Sequence, residues 1–278
     1  MNNTRRAAVH DTRMITARTF FLSLLLAPIL HAAPAWKSEL TSPAPGPFAK
    51  PALSTLDLQL SWNGMINSGT VRMEFAPADA KKPGAYVIRS STASQGPAAA
   101  LFPYQSNFWS ELDPKTLRPR FFQSVETGKK AVTTTVRHSV GRVESREITK
   151  QKSGATKQTD KVFKSPAIFD LFSAMLHVRS QKLDAGDKIA LVIHPFDNPY
   201  LLRVKVAGRE VHNGRKTIRL TMGMQKIDRK TQELMPYKKL KKDATLWLSD
   251  DADRIPVEIR AAVFIGDVRA TLAGHRKS

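Results

Sequence analysis

The chain has 278 residues, of which 41% are hydrophobic, so it is long enough and apolar enough to bury a sizeable core rather than remain disordered. It contains no cysteine, which excludes disulfides, thiolate metal sites, a cysteine nucleophile and the acylated cysteine of a bacterial lipoprotein. Its 44 Lys and Arg residues against 24 Asp and Glu residues give a formal net charge of +20, which favours an anionic partner.

Residues 1–35 have the pattern of a secretory signal peptide. Four arginines precede a short apolar run at 20–30, and small residues follow it at 32–35. The run is shorter than the roughly 20 apolar residues that a membrane-spanning helix needs. We therefore expect a mature chain of net charge +17 (40 basic minus 23 acidic residues), located in the periplasm or outer envelope of a bacterium. Nucleic acid is a poor partner there, whereas lipid head groups and anionic glycans are present.

Most of the remaining chain has the period-two hydrophobicity of β-strands. Residues 36–52 contain four prolines and predict an extended linker, and residues 53–276 predict a single β-rich domain. Alternating leucines at 56–60, followed by Asn63-Gly64 and a renewed alternation from Val71, predict a hairpin. The other predicted strands are 86–91, 108–112, 120–125, 131–138, 143–150, 188–193, 201–211, 216–224, 245–249, 257–264 and 268–272.

One segment breaks the strand pattern. Ser165-Pro166 is a favourable helix start, and apolar residues recur at helical spacing until Arg179, which predicts an amphipathic helix of about 14 residues. The polar stretch 151–160 predicts a loop.

Sheet area argues for strong curvature. Roughly a dozen strands of about 20 Å, spaced about 4.8 Å apart, give an apolar face on the order of 1,000 Å². One helix covers only about a fifth of that face, so the sheet must fold over on itself. We predict a mainly β fold, a strongly curved antiparallel sheet (half-barrel or barrel-like) with one packed α-helix; a two-sheet β-sandwich is the alternative.

A half-barrel would leave a concave apolar groove that a lipid could occupy. Aromatic residues cluster in the first half of the chain, and the predicted helix adds further apolar side chains. Core packing is the ordinary role of such residues, and a ligand groove is the more specific hypothesis. The predicted groove residues are Phe102, Phe108, Trp109, Phe121, Phe122, Phe169, Phe172 and Met175.

The positive charge is regional. Residues 120–164 carry eleven basic and four acidic residues, and residues 200–245 carry thirteen and four. Basic residues that alternate with apolar ones on predicted strands should point to the outer face. The predicted anionic-surface residues are Arg203, Lys205, Arg219, Lys238, Lys239, Lys241 and Lys242; a solvated basic surface is the simpler alternative.

The sequence shows no pattern of an enzyme. The histidines lack metal-ligand spacing, and neither a Gly-x-Ser-x-Gly turn nor a phosphate-binding glycine loop is present. We therefore predict no catalytic residue, no metal and no cofactor. The Asp-rich stretch 250–253 lacks the pattern of a calcium loop and predicts a hairpin turn whose carboxylates accept backbone N–H groups.

The order of several motifs resembles the bacterial domain-of-unknown-function family 3108 over roughly residues 54–275. The motifs are Ser61-Trp62-Asn63-Gly64, Leu117-Arg118-Pro119, Phe169 to Ala174, Leu246 to Asp251, Arg254 to Val257 and Gly266. The resemblance implies an exported, β-rich protein and supplies no catalytic residue. The order of β-strands around one helix also looks like the open barrel of periplasmic lipoprotein carriers, which is an analogy of fold only.

These patterns together predict a non-enzymatic periplasmic or envelope-associated protein that binds an amphiphilic or anionic envelope component. Its expected partners are a lipid or an anionic envelope polymer, with possible peripheral contact to a membrane. The alternative is a structural or assembly factor with a filled core and a basic face for docking a protein. A hydrolase acting on envelope polymers is the third reading, and a pair of carboxyl groups in a cleft would favour it.

Overall fold

The computed structural model describes residues 33–49, 53–78, 84–151, 153–238, 240–263 and 266–277. The predicted signal peptide, 1–35, lies outside the described residues except for its last three positions.

Fifteen strands and two α-helices make up the described chain. The first half contains β1 (Ser54–Trp62), β2 (Ile66–Pro77), β3 (Tyr86–Ser94), α1 (Gly96–Leu101), β4 (Gln105–Leu112), β5 (Pro119–Thr127), β6 (Ala131–Ser139), β7 (Arg142–Lys150) and β8 (Thr156–Lys164). The second half contains α2 (Leu171–Ser180), β9 (Lys188–Ile193), β10 (Tyr200–His212), β11 (Arg215–Ile227), β12 (Leu234–Pro236), β13 (Ala244–Ser249), β14 (Pro256–Val263) and β15 (Gly266–Lys277).

All the strands belong to one antiparallel sheet, which confirms the predicted fold class and excludes a two-sheet sandwich. The strand order is β8-β7-β6-β5-β4-β3-β2-β1-β15-β14-β13-β11-β10-β9, and short β12 pairs with β11. The sheet is not closed, because β8 and β9 form its two edges. Tight hairpins join most neighbours, so the turn chemistry read from the sequence sets much of the register.

The connection from β8 to α2 lies beside the edge strand β9. Phe169 forms a parallel bridge with Ile193, donating its N–H to the carbonyl of Val192 (3.0 Å) and accepting from the N–H of His194 (2.7 Å). On the other side, Lys161 of β8 is ion-paired with Asp197 in the loop after β9. The two edges are thus linked by an extended segment and a side-chain pair rather than by direct strand pairing.

Helix α2 divides the interior into two hydrophobic clusters. Phe172 and Leu176 belong to a cluster with β1, β2, β4 and β5, whereas Ala174 and Val178 belong to a second cluster with β9, β10, β11 and β13. Since one helix packs against both halves of the same sheet, the sheet must curl around it.

The segment 34–49, most of the predicted linker, packs against the domain. Residues 35–39 form a 3₁₀-helix, and Trp36 is buried in the first hydrophobic cluster with its indole N–H donated to the carbonyl of Gln232 (2.8 Å). Thr41 donates its N–H to the carbonyl of Ala190 on the free edge of β9 (3.0 Å). This segment therefore covers part of an edge that would otherwise expose unpaired backbone groups.

Two predictions about local structure were wrong, and one short helix was not predicted. The helix begins at Leu171 rather than near Ser165, because residues 165–170 are used in the extended connection beside β9. Part of the predicted loop 151–160 belongs to strand β8, whose nine residues pair fully with β7. The short helix α1 was not predicted at all, because its sequence Gly-Pro-Ala-Ala-Ala-Leu is too short for periodicity to show.

Candidate functional site

A cavity of about 400 Å³ lies between α2 and the inner face of the sheet. Its lining comes from both hydrophobic clusters, so the cavity separates the two halves of the core. The lining residues are Leu58, Val71, Met73, Ser90, Thr92, Phe108, Leu171, Phe172, Ala174, Met175, Val178, Ile193, Leu202, Met222, Met224, Leu240, Ala244, Leu246, Leu248, Pro256, Ile259 and Ala270.

The chemistry of the lining is almost entirely apolar. Of its 22 residues, 20 are apolar, and the two exceptions are the hydroxyl-bearing Ser90 and Thr92. Among the described residues, no charged side chain contributes to the lining, and four of the lining side chains are methionines. Methionine is flexible and polarizable, so such a surface can adapt to ligands of different shape.

An aromatic cluster forms one wall. The ring centroids of Phe108 and Phe172 are 6.1 Å apart in an edge-on arrangement, and Phe122 lies 6.3 Å from Phe108. Phe196, from the loop after β9, completes the cluster at 6.3 Å from both Phe108 and Phe122. These rings fix the position of the first turn of α2 against the sheet.

The N-terminus of α2 is fixed by a buried carboxylate. Asp170 is fully buried and accepts hydrogen bonds from the backbone N–H of Ser173 (2.7 Å) and from the hydroxyl of Ser110 on β4 (2.6 Å). The Ser173 hydroxyl accepts the backbone N–H of Asp170 in return (2.9 Å), which completes a capping box. Burial raises the pKa of Asp170, although the hydrogen bonds from Ser110 and Ser173 oppose that rise.

The C-terminus of α2 is held by a buried arginine. Arg254 donates to the carbonyls of Arg179 (3.1 Å) and Lys182 (2.9 Å) and also to that of Gln181. Its guanidinium lies 3.5 Å from the ring centroid of Phe48 in the N-terminal segment. Both ends of the helix that covers the cavity are therefore tied to the sheet or its hairpins.

Two lining residues indicate where the cavity opens to solvent. Leu171, in the first turn of α2, is 43% exposed, and Leu240, in the lysine-rich loop before β13, is half-buried. The loop is fixed to β14, because Leu240 bridges to Val263 and Lys241 donates its N–H to the carbonyl of Ala262 (2.8 Å). We call the region between Leu171 and Leu240 the mouth of the cavity.

Three of the eight predicted groove residues, Phe108, Phe172 and Met175, line the cavity. Phe122 and Phe169 are buried in the core beside it. Trp109 is 37% exposed with the guanidinium of Arg89 over its ring at 4.7 Å, and Phe102 is 50% exposed. Phe121 is half-buried. Trp109 and Phe121 alternate with inward-facing neighbours, so strand geometry directs them to the outer face.

The predicted basic residues lie on the outside of the molecule. Arg203 is ion-paired with Glu39 at 2.6 Å, and Arg219 with Glu210 at 3.2 Å. The hydrogen bond from Arg203 holds the pKa of Glu39 below its ordinary value. Lys205, Lys238, Lys241 and Lys242 are exposed, and Lys239 lies outside the described residues.

Sequence reasoning missed most of the aliphatic and methionine lining. Met222 and Met224 alternate with less apolar residues on β11, and this alternation is the signal that could have placed them in the lining. Leu240, flanked by lysines in a loop, carried no such signal.

The prediction for the turn before β14 is confirmed. The Asp251 carboxylate accepts from the backbone N–H groups of Asp253 (2.9 Å) and Arg254 (3.0 Å). Within the described ranges, no group of three or more His, Asp or Glu side chains is arranged to hold a metal ion. Among those same residues, no helix has the length and apolarity needed to cross a bilayer.

The geometry defines a class of protein: an open, barrel-like antiparallel sheet that encloses an apolar cavity together with helix α2. The chain belongs to the family of proteins of unknown function DUF3108, whose family-wide sequence pattern matches residues 57–273. This finding confirms the family resemblance.

Two solved structures match this chain, and the first of them is similar in fold. A β-barrel-like protein of the domain of unknown function DUF1849 from Brucella abortus has 11% identity and a TM-score of 0.53, covering 82% of this chain and 99% of that one. A Bacteroides fragilis protein with a YmcC-like fold has 6% identity and a TM-score of 0.33, covering 84% and 99%. A comparison with curated proteins finds no match.

Proposed function

We propose that this protein is an exported, non-enzymatic binder of amphiphiles that holds the apolar part of its ligand in the cavity beneath α2. The observation that carries the proposal is the cavity of about 400 Å³, in which none of the described lining residues is charged. Ligand pockets in proteins occupy roughly 300–1,000 Å³. An apolar cavity of about 150 Å³ is enough to bind benzene, so this cavity suits a larger apolar group such as an acyl chain.

Hydration of the lining also favours an occupant. Water in a space lined by 20 apolar residues finds few hydrogen-bond partners. A ligand that replaces this water would remove apolar surface from water, and the four methionines would let the lining adapt to it.

Filling the cavity should abolish binding without unfolding the protein. We expect Ala270→Trp, on the lining, to weaken saturable binding of the fluorescent apolar probe N-phenyl-1-naphthylamine at least about tenfold, while the unfolding temperature stays unchanged or rises. The matched control is Ala207→Trp, the same substitution at an exposed position of β10, which should bind like wild type.

Native mass spectrometry of freshly purified protein gives an independent readout, since wild type should carry lipid-sized extra mass that Ala270→Trp lacks. Equal probe binding by wild type and Ala270→Trp would reject the cavity as the binding site. Absence of both probe binding and bound mass in wild type would favour the structural or assembly role instead.

Export is the second part of the proposal, and it is supported by the charged and apolar pattern of residues 1–35. We expect protein from a bacterial host that carries the gene to begin between Ala33 and Trp36 and to fractionate outside the cytoplasm. Intact mass of the purified protein measures this directly. A full-length species in the cytoplasmic fraction would contradict it.

A further inference from the structure

Several loops lie at the end of the sheet that also carries the first turn of α2 and Leu240. We define the rim as residues 63–66, 95–104, 128–130, 228–238 and 240–243. Neighbouring parts of the rim lie close together. Gln95 donates its N–H to the carbonyl of Ser68, two residues after the first rim segment (3.0 Å), and the ammonium of Lys129 lies 5.7 Å from the ring centroid of Phe102. On the other side, the bridge from Leu240 to Val263 brings the lysine-rich loop beside the hairpin of β14 and β15.

Exposed apolar side chains are concentrated on the rim. Met65 is 83% exposed, Leu101 is 66% exposed and Phe102 is 50% exposed. Among the described residues, six of the twelve large apolar side chains with high exposure belong to it: Met65, Ile66, Leu101, Phe102, Tyr104 and Met235. Such side chains on several separate loop tips suit a broad apolar layer better than a single narrow groove.

The charge of the rim differs from that of the opposite end. Counted over described residues, the rim has seven basic and three acidic residues, a net charge of +4. The turns at the opposite end, 113–118, 140–141, 213–214 and 250–255, have three basic and four acidic residues, a net charge of −1. The two rim segments with the most exposed apolar residues, 63–66 and 95–104, contain no acidic residue, and neither does segment 128–130, which carries two lysines.

We propose that the rim docks onto a bilayer of anionic phospholipids, with its apolar tips in the interfacial layer and its lysines against the head groups. Lysine ammonium groups at the surface are attracted to anionic head groups, and aromatic and aliphatic tips gain by leaving water. This inference deepens the proposed function, because it turns the mouth between Leu171 and Leu240 toward the source of an amphiphile. The cavity and the membrane would then form one continuous apolar path.

The test is co-flotation with vesicles of phosphatidylglycerol and phosphatidylethanolamine at low salt, with pure phosphatidylcholine vesicles as the neutral comparison. Wild type should float with the anionic vesicles and lose binding as salt rises. The double variant Lys129→Glu/Lys241→Glu should bind at least about tenfold more weakly. The control Lys115→Glu/Lys216→Glu makes the same change in net charge at exposed positions of the opposite end and should bind like wild type.

A second pair of variants tests the exposed apolar residues of the rim. Met65→Asp/Phe102→Asp should lose vesicle binding, whereas Val140→Asp/Val211→Asp, at exposed positions of the opposite end, should keep it. Equal loss in the two charge variants, or no binding by wild type at low salt, would overturn the proposal. Selective binding to a protein in place of vesicles would also overturn it.

The proposal for the rim and the proposal for the cavity can be tested separately. Met65→Asp/Phe102→Asp should still bind N-phenyl-1-naphthylamine, and Ala270→Trp should still float with anionic vesicles. Loss of vesicle binding in wild type with intact probe binding would reject the rim alone. Vesicle binding without any probe binding would reject the cavity as a ligand site.

Discussion

Replacing Arg254 with alanine is expected to lower the free energy of unfolding by about 3 kcal/mol or more. Its side chain is 3% exposed and donates to three backbone carbonyls at and beyond the C-terminus of α2. Without the guanidinium those carbonyls lose a charged donor in a largely water-free site, and Phe48 loses the cation stacked on its ring. Urea denaturation monitored by tryptophan fluorescence measures the change.

A matched arginine shows what an exposed pair contributes. Arg276 is ion-paired with Asp57 at 2.8 Å, but its side chain is 60% exposed, so Arg276→Ala should change stability by less than about 1 kcal/mol. Arg254→Lys should behave more like Arg254→Ala than like wild type, because one ammonium cannot reproduce the fork that reaches three carbonyls. Equal effects of Arg254→Ala and Arg276→Ala would show that the helix end is not held in this way.

Strands with an apolar pattern could be predicted from the sequence, and polar strands could not. Strand β9 was placed at its observed bounds, because five consecutive apolar residues follow Lys188 between turn signals, as in a buried strand. Strand β8 was read partly as loop, since Lys157, Asp160 and Lys161 make it polar. Charged residues on an edge strand discourage pairing with other chains, and the same charges hide the strand from a hydrophobicity pattern.

The start of α2 shows tertiary structure overriding local preference. Ile168 and Phe169 fit a helical spacing, yet the chain uses them in an extended segment whose backbone bonds go to β9. Asp170 then becomes the cap. A local pattern has no access to the partner strand that competes for these backbone groups.

The sequence predicts that a curved sheet could enclose an apolar groove, but it does not predict where the cavity lies. Alternation identifies which side chains of β10 and β11 face inward, and Leu202 and Met224, which fit that alternation, do line the cavity. Whether an inward side chain contacts α2 or borders empty space depends on curvature accumulated over many strands. Trp109, a predicted groove residue, lies outside the cavity for a simpler reason. Phe108 and Ser110 on the same strand face inward, so the alternation of the strand directs Trp109 to the outer face.

The buried carboxylate that starts α2 should be as sensitive as the arginine that ends it. Asp170→Ala is expected to lower the free energy of unfolding by about 3 kcal/mol, because it removes a helix cap and leaves the buried Ser110 hydroxyl without its acceptor. Asp170→Asn should lower the free energy of unfolding much less. Its amide oxygen can still accept the N–H of Ser173, and its amide group can still form a hydrogen bond with the Ser110 hydroxyl. Urea denaturation at neutral pH ranks the two variants, and equal losses would show that the cap contributes little.

Wild type and the Asp170→Asn variant should also differ in pH dependence. Burial raises the pKa of Asp170 above its ordinary value of 3.8, so the folded protein keeps this proton to a higher pH than the unfolded chain does. The contribution of Asp170 to the free energy of unfolding is therefore fully present below about pH 3.8, and it is lost as the pH rises through the pKa of the folded state. The amide of the variant cannot ionise, so Asp170→Asn should gain stability relative to wild type as pH rises from about 3 toward neutrality. Every other carboxyl group is common to both proteins and cancels in the difference, which a series of urea titrations would measure. A flat or opposite trend in that difference would mean that Asp170 stays charged in the fold at little energetic penalty.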